Sequence, residues 1–123
     1  MRFGQLESIA AETVAAVVRR LPADIRTAAQ AVTVHFEAGP DETVLAEGFE
    51  PDILGLFQGS PHGSEFGESD LRPPRIVLYL PSLWDFAEEE VKTYKAEVKR
   101  TYLHELGHFL GWDEDQIAAR DLD

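Results

Sequence analysis

The sequence predicts one small α+β domain, and three observations support that fold class. An amphipathic helix pattern opens the chain, short segments rich in β-branched and aromatic residues occupy its middle, and a long helical pattern comes near its end. Helices and strands that occupy separate regions of a chain are typical of α+β domains. The 123 residues fit a single domain over 1–123, since a chain of this size buries roughly 70% of its unfolded surface.

The first predicted helix runs from Phe3 to Leu21. Its apolar residues recur at intervals of three and four, which places them in one stripe along a helix. They are Phe3, Leu6, Ala10, Val14, Val17 and Leu21. Pro22 follows directly and marks the end of the helix.

Three strands are predicted next, at residues 31–37 (AVTVHFE), 53–58 (ILGLFQ) and 75–80 (RIVLYL). Gly55 either weakens the second strand or marks a close approach of another segment to its backbone. The third strand is apolar at five consecutive positions, so we expect both of its faces to be covered. A long loop at 59–74 separates these two strands, and its His62 is expected to be a solvated surface residue, as His35 is expected to be an ordinary strand residue.

One long helix is predicted from about Asp85 to Gly111, followed by a short acidic helix from Asp113 to Leu122. Three acids, Glu88 to Glu90, crowd the start of the long helix, where the helix dipole favours negative charge. Gly111 stands where a C-terminal cap belongs.

Charge and composition exclude several classes of function. The 23 acidic residues against 11 basic ones give a net charge of -12, so a phosphate backbone would be repelled and nucleic acid is not an expected partner. There are no cysteines, which excludes thiolate metal sites and a cysteine nucleophile.

No apolar run is long enough to span a membrane, and Glu7 and Glu12 interrupt the only segment that resembles a signal peptide. We therefore expect a cytoplasmic protein.

The segment HELGHFLGWDED, residues 104–115, carries the pattern of a hydrolytic metal site. On a helix His104 and His108 lie roughly 40° apart on one face, and Glu105 lies about 60° further round. Two imidazoles can then bind one ion, while the carboxylate faces a water molecule bound to that ion and acts as general base.

Gly107 costs about 1 kcal/mol in a helix interior relative to alanine. It therefore indicates a close neighbouring segment, or tight packing alone.

A catalytic zinc site needs a third protein ligand and one open position. Gly111 allows the chain to turn sharply back toward the metal. Glu114, ten residues after His104, is the predicted third ligand. Asp113 and Asp115 are alternatives, because a change of one residue in the turn would exchange them.

Patterns along the whole chain resemble the minimal zincins, compact zinc metallopeptidase domains of bacteria whose motif is HExxHxxG followed by an acid. The matching segments are RRLP, AVTVHFE, ILGLFQGSP, PRIVLYLP and HELGHFLGWDED. The resemblance implies that His104 and His108 bind Zn²⁺, that Glu105 is the general base and that an acid near 114 completes the site. It also implies a peptide or protein substrate, and the strand at 75–80 is the expected edge for an extended peptide.

Three alternatives to a zinc peptidase stay open. The chain could be a zinc-binding interaction module without turnover, or a metal-dependent hydrolase of another bond. Glu105 and the negative charge argue against endoribonucleases with the motif HxxxHxxGxxH. A third possibility is a packed, metal-free histidine pair. The sequence predicts neither the oligomeric state nor a side-chain preference of the substrate.

Overall fold

The computed structural model describes residues 1–59, 73–113 and 115–116. Within them the elements are, in chain order, α1 (Phe3–Arg20), α2 (Ala23–Ala29), β1 (Thr33–Glu37), α3 (Glu42–Ala46), β2 (Gly55–Gln58), β3 (Arg75–Tyr79), α4 (Leu80–Phe86) and α5 (Val91–Phe109). This arrangement is an α+β architecture, so the predicted fold class is confirmed. Among the described helices, none is both long and apolar enough to cross a membrane.

The three strands form one mixed sheet in the order β1-β3-β2. β3 pairs with β1 in parallel and with β2 in antiparallel orientation. Its residues from Ile76 to Tyr79 are buried, as predicted for a strand that is covered on both faces. Because β3 is the central strand of this sheet, both of its edges are already paired. The prediction that an extended peptide pairs with β3 is therefore wrong, and β2 is an outer strand of the described sheet instead.

The long helices α1 and α5 pack together and form much of the core. The buried stripe of α1 consists of Leu6, Ala10, Val14 and Val17, whereas Phe3 stays 37% exposed. The hydroxyl of Tyr94 in α5 donates a hydrogen bond to the carbonyl oxygen of Leu6 at 2.9 Å. Burial of this tyrosine raises its pKa. The hydrogen bond fixes the start of α5 against the start of α1.

The segment that was predicted as one helix from Asp85 to Gly111 is interrupted, so that prediction is wrong in its first part. α4 begins directly after β3, with Pro81 in its first turn, where the missing N–H costs no intrahelical hydrogen bond. Glu88 and Glu89 then adopt positive φ angles of 57° and 59°. Helical periodicity cannot continue through two left-handed residues, so the chain starts a second helix at Val91.

Tertiary contacts explain why this break forms. Trp84 in α4 lies edge-on to Tyr94 in α5, with ring centroids 5.6 Å apart and planes at 84°. This aromatic pair requires α4 to pack back on α5 rather than to continue into it. Glu90 is the N-cap of α5, and its carboxylate accepts hydrogen bonds from the N–H groups of Lys92 and Thr93. One of the three predicted acids thus stabilises the helix start, as a cap.

Two short helices, α2 and α3, were not predicted. α2 follows Pro22 and has seven residues, and α3 has five. The side chain of Asp41 caps α3 by accepting a hydrogen bond from the N–H of Val44 at 2.9 Å. Helices this short contain too few turns for a periodic apolar pattern to stand out in the sequence.

Candidate metal centre

The last turns of α5 bring two imidazole rings face to edge. Nε2 of His104 lies 3.2 Å from Nε2 of His108, and the ring planes meet at 83° with centroids 4.8 Å apart. Two nitrogen atoms that bind one tetrahedral zinc ion at 2.0–2.1 Å would lie about 3.3 Å from each other. The pair therefore has the spacing that a shared zinc ion requires.

Glu105 belongs to the same group. Each of His104, Glu105 and His108 offers one ligand atom, and these atoms all lie within 4.8 Å of one another. All three residues are partly exposed, although Leu106 and Phe109 beside them are buried. The polar face of this segment is therefore partly open, whereas its apolar face is buried. One side of α5 packs on the core, while the side that carries the two histidines and Glu105 is partly exposed.

Contacts between β2 and α5 hold the helix in place. The ring of Phe57 in β2 lies 5.7 Å from the ring of Phe109, one residue after His108. A Cβ added to Gly55 would lie 2.6 Å from Cγ2 of Thr101, so β2 crosses α5 at a distance that only glycine permits. Of the two interpretations of Gly55, the close approach of another segment is confirmed.

A cleft of about 330 Å³ runs between β2 and α5 and reaches His104 and Glu105 of the candidate metal site. Leu54 and Gly55 line it on the strand side, and His104 and Glu105 line it on the helix side. Phe86, at the end of α4, also borders it and is 58% exposed. A cleft of this volume is at the lower end of the range for small-ligand sites. It can hold one side chain of a larger molecule.

The end of α5 confirms the predicted C-terminal cap. Gly111 adopts a positive φ of 81°. Its N–H donates to the carbonyl oxygen of His108 at 3.0 Å, and the N–H of Trp112 donates to that of Gly107 at 2.9 Å. These two hydrogen bonds form a Schellman motif, in which a left-handed residue ends the helix and reverses the chain direction. The chain beyond Gly111 therefore leaves the helix axis directly next to the two histidines.

The residues after this turn include the candidates for a third ligand. Asp113 and Gln116 exchange two hydrogen bonds of 2.8 Å between their side chains and each other's backbone N–H. This reciprocal pattern is a capping box, so Asp113 stands at the start of a helical turn, where the short acidic helix was predicted to begin. In the described part of the chain, neither Asp113 nor Asp115 belongs to the group of possible metal ligands. Glu114 lies outside the described residues, and its role stays a prediction.

Other predicted positions fall away from this site or outside the described residues. His35 lies on β1, where its Nε2 is 3.0 Å from the hydroxyl of Thr33. His62 and most of the predicted loop lie in the range 60–72, outside the described residues, as do residues 117–123.

Two polar residues of the cleft were not identified from the sequence. Glu97 and Thr101 are both only 8% exposed and both line the cleft. They precede His104 and His108 at helical intervals of three and four, so all four side chains share one face of α5. That spacing was visible in the sequence, and it would have identified both residues once α5 was known to border a cleft.

One protein family model covers the strands, α4, α5 and the histidine pair in a single match. A family model described as zincin-like metallopeptidase matches residues 29–123. The matched range contains the three described strands, α4, α5 and the group of His104, Glu105 and His108. No curated protein is significantly similar to the chain.

Proposed function

Because the chain belongs to the zincin-like metallopeptidase family, we propose that it is a zinc-dependent peptidase. Its metal ligands are His104, His108 and Glu114, and its general base is Glu105. The observation that carries this proposal is the distance of 3.2 Å between the two Nε2 atoms, which suits a pair of ligands on one tetrahedral ion. Two imidazoles and one carboxylate also form a donor set that binds zinc in preference to magnesium or calcium.

The chemistry divides between the ion and the chain. A zinc ion bound there would lower the pKa of a water molecule to about 7 and polarise the scissile carbonyl group. Glu105 accepts the proton of the attacking water and transfers it to the nitrogen of the leaving amine. Its carboxylate suits this role because it lies beside both imidazoles and also lines the cleft.

The substrate strand is proposed to pair with β2. The antiparallel pairing with β3 uses only one edge of β2, and Gly55 of this strand lines the cleft that reaches Glu105. An extended peptide can add to the outer edge of a sheet by main-chain hydrogen bonds. Such a peptide would carry its scissile bond toward the histidine pair.

Metal analysis and a matched pair of variants test this proposal. Purified protein loaded with zinc and dialysed should retain one zinc ion per chain by elemental analysis, and His104→Ala should retain none. Glu105→Gln should keep the ion but hydrolyse a peptide mixture more slowly by a factor of about 10² to 10⁴, the usual contribution of a general base. Glu7→Gln, an equal charge change at an exposed position of α1, is the control.

Each alternative function gives a different result. Absence of bound zinc would leave a packed histidine pair and reject the site. Bound zinc with equal, negligible rates for wild type and Glu105→Gln would indicate an interaction module without turnover. Hydrolysis of esters or other bonds, with peptides left intact, would indicate a hydrolase of another class.

A further inference from the structure

Glu97 is a buried residue that lines the cleft, two turns of α5 before the histidine pair. It is 8% exposed and lines the cleft together with Thr101 and Phe86. Because α5 rises 1.5 Å per residue, Glu97 lies roughly 10 Å along the helix axis from His104. A long side chain that starts near the scissile bond can span that distance.

Arg100 forms only a long ion pair with Glu97, so the carboxylate of Glu97 can form a shorter hydrogen bond with another cation. Oε2 of Glu97 lies 3.4 Å from Nη1 of Arg100, whose side chain is 68% exposed. Charge-assisted hydrogen bonds between nitrogen and a carboxylate are usually 2.7–2.9 Å long. Arg100 also lines the cleft, but its side chain stays mostly exposed, so the carboxylate of Glu97 can accept a shorter hydrogen bond from a cation that enters the cleft.

The surroundings of Glu97 also suit a long cationic side chain. The exposed ring of Phe86 and the side chain of Leu54 border the cleft and can cover the methylene groups of lysine or arginine. A cation next to an aromatic face gains further electrostatic stabilisation. The net charge of -12 attracts positively charged peptides over longer distances.

We infer that Glu97 is a specificity-determining residue and that the cleft binds a lysine or arginine side chain of the substrate. The inference deepens the proposed peptidase function and rests on it for the peptide nature of the ligand. Arg100 acts in the opposite direction, since its guanidinium competes with the substrate cation for the same carboxylate. The chain is thus a candidate for cleavage next to, or one residue from, a basic residue.

Binding of short peptides tests this inference without requiring turnover. Alanine-based pentapeptides with lysine, norleucine or glutamate at each position in turn are titrated into metal-free and zinc-loaded protein at physiological ionic strength. Titration calorimetry gives the Kd values. One charge-assisted hydrogen bond predicts that the best lysine peptide binds about 10-fold to 100-fold tighter than its norleucine match, and tighter still than its glutamate match.

Two variants of opposite expected sign sharpen the test. Glu97→Gln keeps the side-chain shape and should reduce the preference for lysine over norleucine to less than about threefold. Arg100→Gln removes the competing cation at a mostly exposed position and should increase that preference. Glu7→Gln changes the net charge by the same amount as Glu97→Gln on an exposed surface of α1, and it should leave the preference unchanged.

The outcomes separate this inference from the proposed function. A lysine preference that depends on Glu97, without any hydrolysis, supports the inference and rejects the peptidase. Hydrolysis with equal affinity for lysine and norleucine peptides supports the peptidase and overturns the inference. A preference for glutamate that Arg100→Gln abolishes would also overturn it, because Arg100 would then be the determinant. If Glu97→Gln fails to fold, the response of Arg100→Gln decides alone.

Discussion

Gly55 and Thr101 lie so close together that a single methyl group on the glycine would place its carbon 2.6 Å from Cγ2 of the threonine. Real Cβ atoms do not approach other atoms so closely, so this contact sets the spacing between β2 and α5. The cleft of the candidate site lies between the same two elements. The width of the cleft and the packing of the sheet on α5 thus depend on one contact.

Gly55→Ala should therefore destabilise the protein by about 1–3 kcal/mol, the usual cost of overpacking a core. The added carbon would also lie 3.1 Å from the carbonyl oxygen of Val77, so relaxation in that direction is restricted. Urea unfolding followed by circular dichroism measures the loss. Gly39→Ala is the control, because a Cβ there meets nothing within 4 Å.

A second-site variant identifies the cause of that loss. Thr101→Ser removes Cγ2, so Gly55→Ala should cost less in the Thr101→Ser background than in the wild type. The coupling energy of this double-mutant cycle should be at least about 0.5 kcal/mol. Full additivity would show that the contact between Gly55 and Thr101 does not limit the spacing.

Gly111→Ala should destabilise the protein by about 1–2 kcal/mol, the cost of left-handed backbone for a residue with a Cβ. A Cβ at this position meets nothing within 4 Å, so the whole cost arises from the φ of 81°. Gly111→Asn should cost less, since asparagine tolerates this conformation. Thermal unfolding of the three proteins tests the order, and equal losses for alanine and asparagine would contradict it.

Zinc should stabilise the wild-type protein against thermal unfolding. For one site, zinc at 1,000 times its Kd contributes about 4 kcal/mol to the free energy of unfolding. His104→Ala should abolish this effect because it removes one imidazole of the pair. Unfolding scans with and without zinc measure it, and an equal zinc response of His104→Ala would reject the site.

The same measurement distinguishes the candidates for the third ligand. Glu114→Gln should reduce the zinc response strongly, whereas Asp115→Asn and Asp113→Asn should reduce it little. Asparagine also retains N-cap function, so Asp113→Asn preserves the hydrogen bond that Asp113 accepts from Gln116. A loss confined to one aspartate variant would transfer the ligand role to that residue.

Stability should fall at alkaline pH because of a buried tyrosine. Burial raises the pKa of Tyr102 from 10.0 to about 12. Between these values the unfolded chain binds fewer protons than the folded one, so the free energy of unfolding decreases as pH rises. The contribution is complete below pH 10 and declines by about 3 kcal/mol up to pH 12. Tyr102→Phe should make the curve of urea stability against pH less steep in this range, although buried Tyr94 still contributes to the loss, and parallel curves would contradict this assignment.

Much of the fold was predictable because local patterns and packing agree. The stripe of α1 and the apolar run of β3 each form the expected element, and Gly111 ends α5 as its position suggested. The break before α5 was not predictable from periodicity. It depends on the packing of Trp84 against Tyr94, a contact between two helices that no sequence window contains.

The candidate site was predictable only in part for a similar reason. His104, Glu105 and His108 lie within two turns of one helix, so helical geometry alone brings their side chains together. The strand that borders them depends on sheet order, which the sequence pattern does not determine. The family resemblance implied β3 as the peptide-binding edge, whereas β2 is the strand that crosses α5 at Gly55.

The order of strands in the sheet has a kinetic consequence. β2 and β3 are consecutive along the chain, whereas β1 pairs with β3 across a longer connection that contains β2. Closing a longer loop costs more entropy, so non-local pairs tend to form late in folding. The folding φ-value of a variant is the change in the activation free energy of folding divided by the change in stability. We therefore expect high folding φ-values for variants of Phe57 and low ones for variants of Val34. On this order of events, the walls of the cleft assemble before the parallel strand completes the sheet.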